Sequence, residues 1–180
     1  MASIKLVKTK SELCEGLYFN VEGLKRVGDS FILHGWIVDP NSQLRSILIS
    51  KPGTSKTFEL TTKLVRFSRP DVNSAYNAPD ASIKTHFGFT AILTEFAGAK
   101  DFENLGIVFI ASNGNAYIEN VKISAMSANA ETIPQLLGII PDTQIDVDRC
   151  EKYYKPLFEV LEKEAPKAEK AFDETFGAVP

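Results

Sequence analysis

The chain has 180 residues, of which 44% are hydrophobic and 24% are charged, and its formal net charge is −3. This length and composition are typical of one globular domain with an appendage, large enough to form a core without metal or disulfide cross-links. The small net charge argues against nucleic acid as a partner. No apolar run reaches the roughly 20 residues of a transmembrane segment, and the N-terminus lacks the apolar region of a signal peptide.

Charge is distributed unevenly along the chain. Residues 129–180 contain 11 acidic and 6 basic side chains, net −5, whereas residues 1–128 contain 12 acidic and 14 basic side chains, net +2. This shift indicates two parts with different roles. We therefore interpret the chain as an N-terminal extension over residues 1–16, a β domain over residues 17–126 and a helical connector over residues 127–180.

From residue 17 to about residue 124, apolar side chains alternate with period two between turn signals, a pattern typical of β-strands. The first such run ends before a turn at Gly28-Asp29. Residues 31–38 are apolar at both alternating sets of positions, which predicts a central strand buried on both faces. Asp39-Pro40 ends that strand, because proline has no backbone N–H to donate to a neighbouring strand.

Further strands are predicted by the same alternation over residues 44–49, 57–62, 86–93, 104–111 and 116–124. Asn113-Gly114 lies between the last two, and Asn-Gly between alternating runs is a strong hairpin signal. Several short strands joined by turns, with no helices between them, predict a mainly β fold. The specific expectation is an antiparallel immunoglobulin-like β-sandwich, followed by a short C-terminal helical segment.

After the last strand the spacing of apolar residues becomes helical. Residues 132–137 form a candidate short helix, and a longer stripe runs over residues 148–161. Pro156 within that stripe indicates either a kink or the start of the helix proper. A second helical piece is predicted to begin at Pro166 and to bury Ala168, Ala171, Phe172 and Phe176. We interpret the stripe as a packing face, either against the sandwich or against a further domain.

Residues 69–79 break the strand pattern and indicate a loop with one helical turn. Arg69 and Asp71 flank a proline there, and a forked guanidinium–carboxylate pair would hold the shape of the loop. The alternative is a sugar-binding loop, whose candidate ligand-binding residues are Arg69, Asp71, Asn73 and Tyr76. Planar polar side chains suit sugar hydroxyls and aromatic rings suit the apolar face of a sugar, so both interpretations stay open at this point.

Trp36 is the only tryptophan of the chain and lies in the stretch HGWIVDP. On a strand it would share one face with His34 and Val38, while Gly35 and Ile37 would face the other side. Because both faces are apolar, we expect Trp36 to be a core anchor rather than a sugar platform. Gly35 would allow a neighbouring strand or ring to approach closely.

Catalytic motifs are absent from the sequence. The two histidines, His34 and His86, lie in neither a nucleophile-elbow nor a papain-like context. Cys14 and Cys150 have no metal-binding spacing and are predicted to be free thiols in a reducing cytoplasm. We therefore predict that this chain is not an enzyme, holds no cofactor or metal, and is cytoplasmic.

Three motifs, GWIVDP, RPDVNSAY and HFGFTAIL, follow one another along the chain. Together they resemble an N-terminal β-sandwich module attached to bacterial family 2 glycosyltransferases and other polysaccharide-biosynthesis proteins. The similarity spans residues 17–124, and the module's motifs are Gly-Trp-x-x-Asp-Pro, Arg-x-Asp-Val and Gly-Phe. The matching residues are Gly35, Trp36, Asp39, Pro40, Arg69, Asp71, Val72, Gly88 and Phe89.

The resemblance implies a non-catalytic accessory domain that positions or binds a glycan acceptor. The tail resembles the connector that precedes a family 2 catalytic domain, which implies a downstream catalytic domain of the same polypeptide, after residue 180, as a second partner. The alternative is a protein-interaction or structural spacer module with no ligand. Such a module would use the sheet edges or the helical face of residues 153–161.

Overall fold

The computed structural model describes residues 4–78, 86–94, 96 and 98–176, with side chains described as far as residue 166. The strands are β1 (Lys5–Leu6), β2 (Tyr18–Val27), β3 (Ser30–Val38), β4 (Leu44–Ser50), β5 (Thr57–Glu59), β6 (Val65–Phe67), β7 (Gly88–Leu93), β8 (Asn104–Ala111) and β9 (Asn115–Met126). The helices are α1 (Pro70–Ala75), α2 (Ile133–Leu137), α3 (Val147–Arg149) and α4 (Lys155–Phe176). A π-helical turn, Cys150–Tyr154, joins α3 to α4.

The fold is mostly β, and the strands predicted from alternation are confirmed with one exception. The strand predicted over residues 57–62 ends at Glu59, because a 3₁₀ turn, Thr61–Lys63, follows it. The Asn113-Gly114 hairpin is also confirmed, since β8 and β9 pair antiparallel across a turn in which Gly114 has φ +88°. Sequence alternation misses β1 and β6, because two or three residues are too few to show a period. The helical turn predicted within the loop of residues 69–79 is α1. The last residue of that predicted loop, Pro79, lies outside the described residues.

The described strands form one sheet in the order β5-β4-β8-β9-β2-β3-β7-β6, with β1 added alongside β9. The long strand β9 joins two halves of this sheet. Its first part pairs antiparallel with β8, and its last four residues pair parallel with β2, from Leu24↔Ile123 to Val27↔Met126. The sheet curls as a result, so that its two halves share one core.

The prediction of a wholly antiparallel sheet is wrong, because β9 pairs parallel with both β1 and β2. The immunoglobulin-like sandwich is not confirmed either, because one continuous curled sheet replaces two separate sheets. The physical reason is the length of β9, whose twelve residues serve both halves. Alternation reports which face of a strand is buried, and it carries no information on the direction of the neighbouring strand.

The main core lies inside the curl. Phe31, Leu33 and Ile37 of β3 pack there with residues of β4 and β8, and Phe19 of β2 stacks on Phe109 of β8 with ring centroids 3.9 Å apart. Ile32 faces the opposite side of β3, in a second cluster. The prediction that residues 31–38 form a strand buried on both faces is therefore confirmed.

The second cluster packs the C-terminal helices on the outer face of the sheet. Leu136 of α2, Tyr153 of the π-helical turn and Leu157 of α4 are fully buried there, against Ile32 and Phe67 of the sheet. The predicted packing stripe is thus confirmed for Tyr153, Tyr154, Leu157 and Leu161. It is wrong for Cys150 and Phe158, which are exposed. The described helices include none that is long and apolar enough to cross a membrane.

Pro156 lies at the second position of α4, so the expectation that the helix proper begins near this proline is confirmed. The separate start predicted at Pro166 is wrong, because α4 continues through that residue. A proline inside a helix removes one hydrogen bond and bends the axis, and the turns on either side persist. The side chains of Ala168, Ala171, Phe172 and Phe176 lie outside the described part.

Candidate functional site

A β-bulge in β2 shapes the outer face of the sheet beside α1. Val21 pairs with Gly35 and Gly23 pairs with His34, so Glu22 between them is the extra residue. A bulge re-aims the side chain of the inserted residue. Glu22 therefore faces outward, on the same side as Tyr18 and Asn20, and toward Arg69.

Arg69 lies immediately before α1 and holds two carboxylates at once. Its guanidinium donates to both oxygens of Asp71, at 2.8 and 2.7 Å, and to both oxygens of Glu22, at 2.7 and 2.9 Å. These charge-assisted bonds to Arg69 lower the pKa of Asp71 to about 2 and raise the pKa of Arg69 itself. The predicted fork between Arg69 and Asp71 is therefore confirmed, and Glu22 is a third member that the sequence did not reveal.

An aromatic cluster adjoins this network. The ring of Tyr76 lies 5.3 Å from that of Tyr18 and 5.8 Å from that of Trp36, measured between centroids. Tyr18 is 50% exposed and Tyr76 is 38% exposed, whereas Trp36 is half-buried and packs against Val38 and its neighbours. We call Tyr18, Trp36 and Tyr76 the aromatic cluster; Trp36 forms its inner part and the two tyrosines form its surface.

Three of the four predicted site residues lie at one surface, and the fourth is buried. Arg69, Asp71 and Tyr76 reach the surface beside the aromatic cluster, but Asn73 points inward and is 3% exposed. Tyr18 is a member that sequence reasoning missed. The alternation of Tyr18, Asn20 and Glu22 along β2 was a signal that the sequence offered. The pairing of Asn20 with Trp36, which brings Tyr18 near the cluster, is visible only in the structure.

A cleft of about 430 Å³ continues from Arg69 toward α2. Its lining includes Glu22, Lys25, His34, Arg69 and Gln135. The His34 ring points at Gly23, where a Cβ atom would overlap Nε2, so this glycine provides the space for the imidazole. Burial, followed by the positive charge of Lys25, lowers the pKa of His34 against the opposing effect of Glu22, which favours the neutral imidazole.

Asp39, in the GWIVDP motif, is a structural residue. Its carboxylate accepts hydrogen bonds from the backbone N–H groups of Gln43 and Leu44, at 2.7 and 2.8 Å. These bonds fix the turn between β3 and β4. Gly35 in the same motif lies against the carbonyl of Asn20 and the ring of Phe89, which confirms the predicted close approach.

A second concave surface lies between α2 and α4. This α2–α4 groove has a volume of about 650 Å³ and is lined by Leu137, Gly138, Ile140, Pro141, Asp142, Ile145, Cys150, Tyr154 and Phe158. Its lining is apolar apart from the Asp142 carboxylate and the Tyr154 hydroxyl. Ile145 is 47% exposed and Phe158 is 48% exposed.

No protein-family model matches this chain, and no functionally curated protein matches it at a significant level. The class of protein must therefore be inferred from the aromatic cluster, the Arg69 network and the groove themselves.

Proposed function

We propose that this chain is a non-catalytic accessory module of a bacterial glycosyltransferase and that it binds or positions a glycan acceptor in the cytoplasm. The observation that carries the proposal is the aromatic cluster beside the Arg69 network. Two exposed tyrosine rings offer faces on which the C–H groups of a sugar can stack. GWIVDP supplies Trp36 to the aromatic cluster, and RPDVNSAY supplies Arg69, Asp71 and Tyr76. HFGFTAIL contains the buried strand β7, which reaches the cluster only where Gly88 pairs with Trp36.

The Arg69 network supplies the polar part of the proposed site. The side chain of Asp71 is 65% exposed, and its carboxylate retains lone pairs that can accept hydrogen bonds from sugar hydroxyls. The bidentate bonds from Arg69 hold both carboxylates rigidly, which reduces the entropy lost on binding.

The test is a titration of the ¹⁵N-labelled chain with neutral oligosaccharides, followed by NMR chemical shifts. We expect shifts at the aromatic cluster, and the substitutions Tyr18→Ala and Tyr76→Ala should each weaken binding by about tenfold, the equivalent of about 1.4 kcal/mol. Phe158→Ala, which removes an exposed aromatic ring of α4, is the matched control and should leave the affinity unchanged. Absence of shifts with every oligosaccharide would refute glycan binding.

A protein-interaction module is the second candidate, favoured by the α2–α4 groove. An apolar depression flanked by exposed Ile145 and Phe158 is typical of protein contact sites. The two functions are compatible, because the groove and the aromatic cluster share no residues. A structural spacer would have neither property, and an NMR titration with both classes of ligand would then show no shifts.

A further inference from the structure

We infer that the α2–α4 groove binds a basic amphipathic helix of a partner protein, with apolar side chains in the groove and a cation at Asp142. The inference concerns a surface that the glycan proposal does not use, so either can fail without the other.

The shape of the groove suits a helix. One wall is a row of side chains from Cys150, Tyr154 and Phe158, spaced four residues apart along one helix face. This row runs through the π-helical turn into the first turn of α4, so it covers about two helical turns, a length along which a partner helix can lie. The other wall is the segment after α2, with Ile140 and Ile145. Helices bind such grooves with apolar residues at i, i+3 or i+4, and i+7.

The chemistry of the groove disfavours a small polar ligand. The Tyr154 hydroxyl is already committed, since it donates to the backbone carbonyls of Leu137 and Ile140, both at 3.3 Å. Its single hydrogen is thus shared between these two carbonyls and is not available to a ligand. Apolar side chains make up most of the remaining lining, and their burial by a partner is the main source of binding free energy.

The charge of the groove distinguishes between the partners that could cover its apolar surface. Among the described residues that line the groove, Asp142 alone is charged, and no Lys or Arg of the described part forms an ion pair with it. The nearby cations Arg149, Lys152 and Lys155 pair with other carboxylates, those of Asp146, Asp148 and Glu151, which leaves Asp142 as an uncompensated negative charge. A second copy of the chain would bring the same acidic surface, and an anionic lipid surface would be repelled. A partner with lysine or arginine beside its apolar stripe has the complementary charge.

The probe for this inference is a fluorescein-labelled peptide of about 14 residues, in which leucines recur at helical spacing and lysines fill the other positions. Two control peptides accompany it. One replaces every lysine with glutamate, and the other has the same composition in an order without helical spacing. Fluorescence anisotropy measures each affinity for the full chain and its variants.

We expect the amphipathic lysine peptide to bind about tenfold more tightly than either control peptide. Phe158→Ala should weaken its binding by about tenfold, and Asp142→Asn should weaken it by about threefold and reduce the salt dependence. Ile118→Ala, which truncates an exposed apolar side chain of β9, should bind like wild type. Asp142 and Phe158 are both exposed, so their substitution should not disturb the core. Unchanged circular dichroism and thermal unfolding of the two variants would verify that they fold.

Several outcomes would overturn the inference. Equal binding of the glutamate peptide or of the reordered peptide would show that neither charge nor helical spacing matters. Unchanged affinity of the Phe158→Ala variant would place the peptide elsewhere. Sedimentation of a dimer that Phe158→Ala dissociates would assign the groove to a second copy. Binding to phosphatidylcholine–phosphatidylglycerol vesicles that is lost with Phe158→Ala would assign it to a membrane surface.

Discussion

At the scale of single residues, Arg69 is the centre of the proposed glycan site. Its four hydrogen bonds join the start of α1 to the bulge in β2, so one side chain fixes Asp71 relative to Glu22. Tyr76 follows directly after the end of the same helix. Arg69 therefore has a structural role, since its guanidinium bonds to Asp71 and Glu22. A guanidinium suits this position because its planar fork can pair with two carboxylates at once, which a lysine cannot do.

The Arg69 network predicts an acid-dependent stability. Asp71 has a pKa of about 2 in the folded chain and an ordinary value of 3.8, so its stabilising contribution is complete above about pH 4 and is lost as the pH falls toward 2. The exposed position of Asp71 keeps this contribution small, because solvent screens the pair. We expect Arg69→Ala to lower the free energy of unfolding by about 1 kcal/mol at pH 7 and to flatten this part of the pH profile.

Urea unfolding at a series of pH values between 2 and 6 measures the effect of Arg69. Asp71→Asn is the matched variant, since it removes the same titrating carboxylate and leaves the guanidinium bound to Glu22. Parallel pH profiles for the wild type and Arg69→Ala would contradict the assignment.

Gly35 gives a second prediction at this scale. A Cβ atom there would overlap the carbonyl oxygen of Asn20 and lie 3.1 Å from the Phe89 ring, so Gly35→Ala forces backbone to move. We expect it to lower the free energy of unfolding by about 1–3 kcal/mol. Gly106→Ala is the control, because its Cβ would meet side chains rather than backbone, the nearest being Ile118 at 3.3 Å and Ser50 at 3.5 Å. Equal losses in chemical denaturation of the two variants would contradict the close-approach argument.

At the scale of secondary structure, polar anchors fix the helical segment on the sheet. The buried Arg149 of α3 donates to the carbonyl of Arg66 in β6, at 3.1 and 2.9 Å, and to that of Gln144, at 2.6 Å. The Gln144 amide forms two further bonds with the backbone of Ser68, as a neighbouring strand would. These bonds satisfy the edge of the sheet at β6, an edge that would otherwise be open to another chain.

Removal of the Arg149 guanidinium should loosen the helical segment. Charged hydrogen bonds to buried carbonyls contribute about 1.5–3 kcal/mol each, and Arg149→Ala leaves the carbonyl of Arg66 without its donor. We expect faster amide hydrogen exchange across residues 133–161, with less change in β4 and β8. Lys152→Ala, which breaks an exposed ion pair with Asp148, is the control and should exchange like wild type. Uniform acceleration across the whole chain would contradict local anchoring.

Prediction from sequence succeeded at this scale wherever a pattern was local. The alternation of residues 31–38, the Asn113-Gly114 turn and the pairing of Arg69 with Asp71 two residues away all involve neighbours in the chain, and the structure confirms them. Glu22 and Tyr18 were missed because their partners lie far away in sequence. The bulge that aims Glu22 also breaks the period on which the prediction depended.

At the scale of the whole molecule, the apolar outer face of the sheet requires the helices. Ile32, Val65, Phe67 and Ile92 are covered by residues of α2, the π-helical turn and α4. The division into a domain over residues 17–126 and a connector over residues 127–180 stays a prediction. The shared cluster nevertheless couples the stability of the described part of the connector to that of the sheet.

Trp36 offers a direct measurement of this coupling, because the only tryptophan lies in β3. Leu157→Ala removes a fully buried side chain of α4 and should lower the unfolding free energy reported by Trp36 fluorescence by about 2–4 kcal/mol. Phe158→Ala, at the next position and exposed, should change it by less than about 1 kcal/mol. An unchanged Trp36 transition in Leu157→Ala would mean that sheet and helices unfold independently.

The pairing of β2 with β9 also sets the order in which the chain can fold during its synthesis. Leu24 has no partner on that side until Ile123 has left the ribosome, since β9 is made after all the other described strands. Local hairpins such as β2–β3 can form early, but closure of the curl must wait for β9. A nascent chain stalled before β9 would expose a free edge of β2, and this is the stage at which we expect a chaperone to bind.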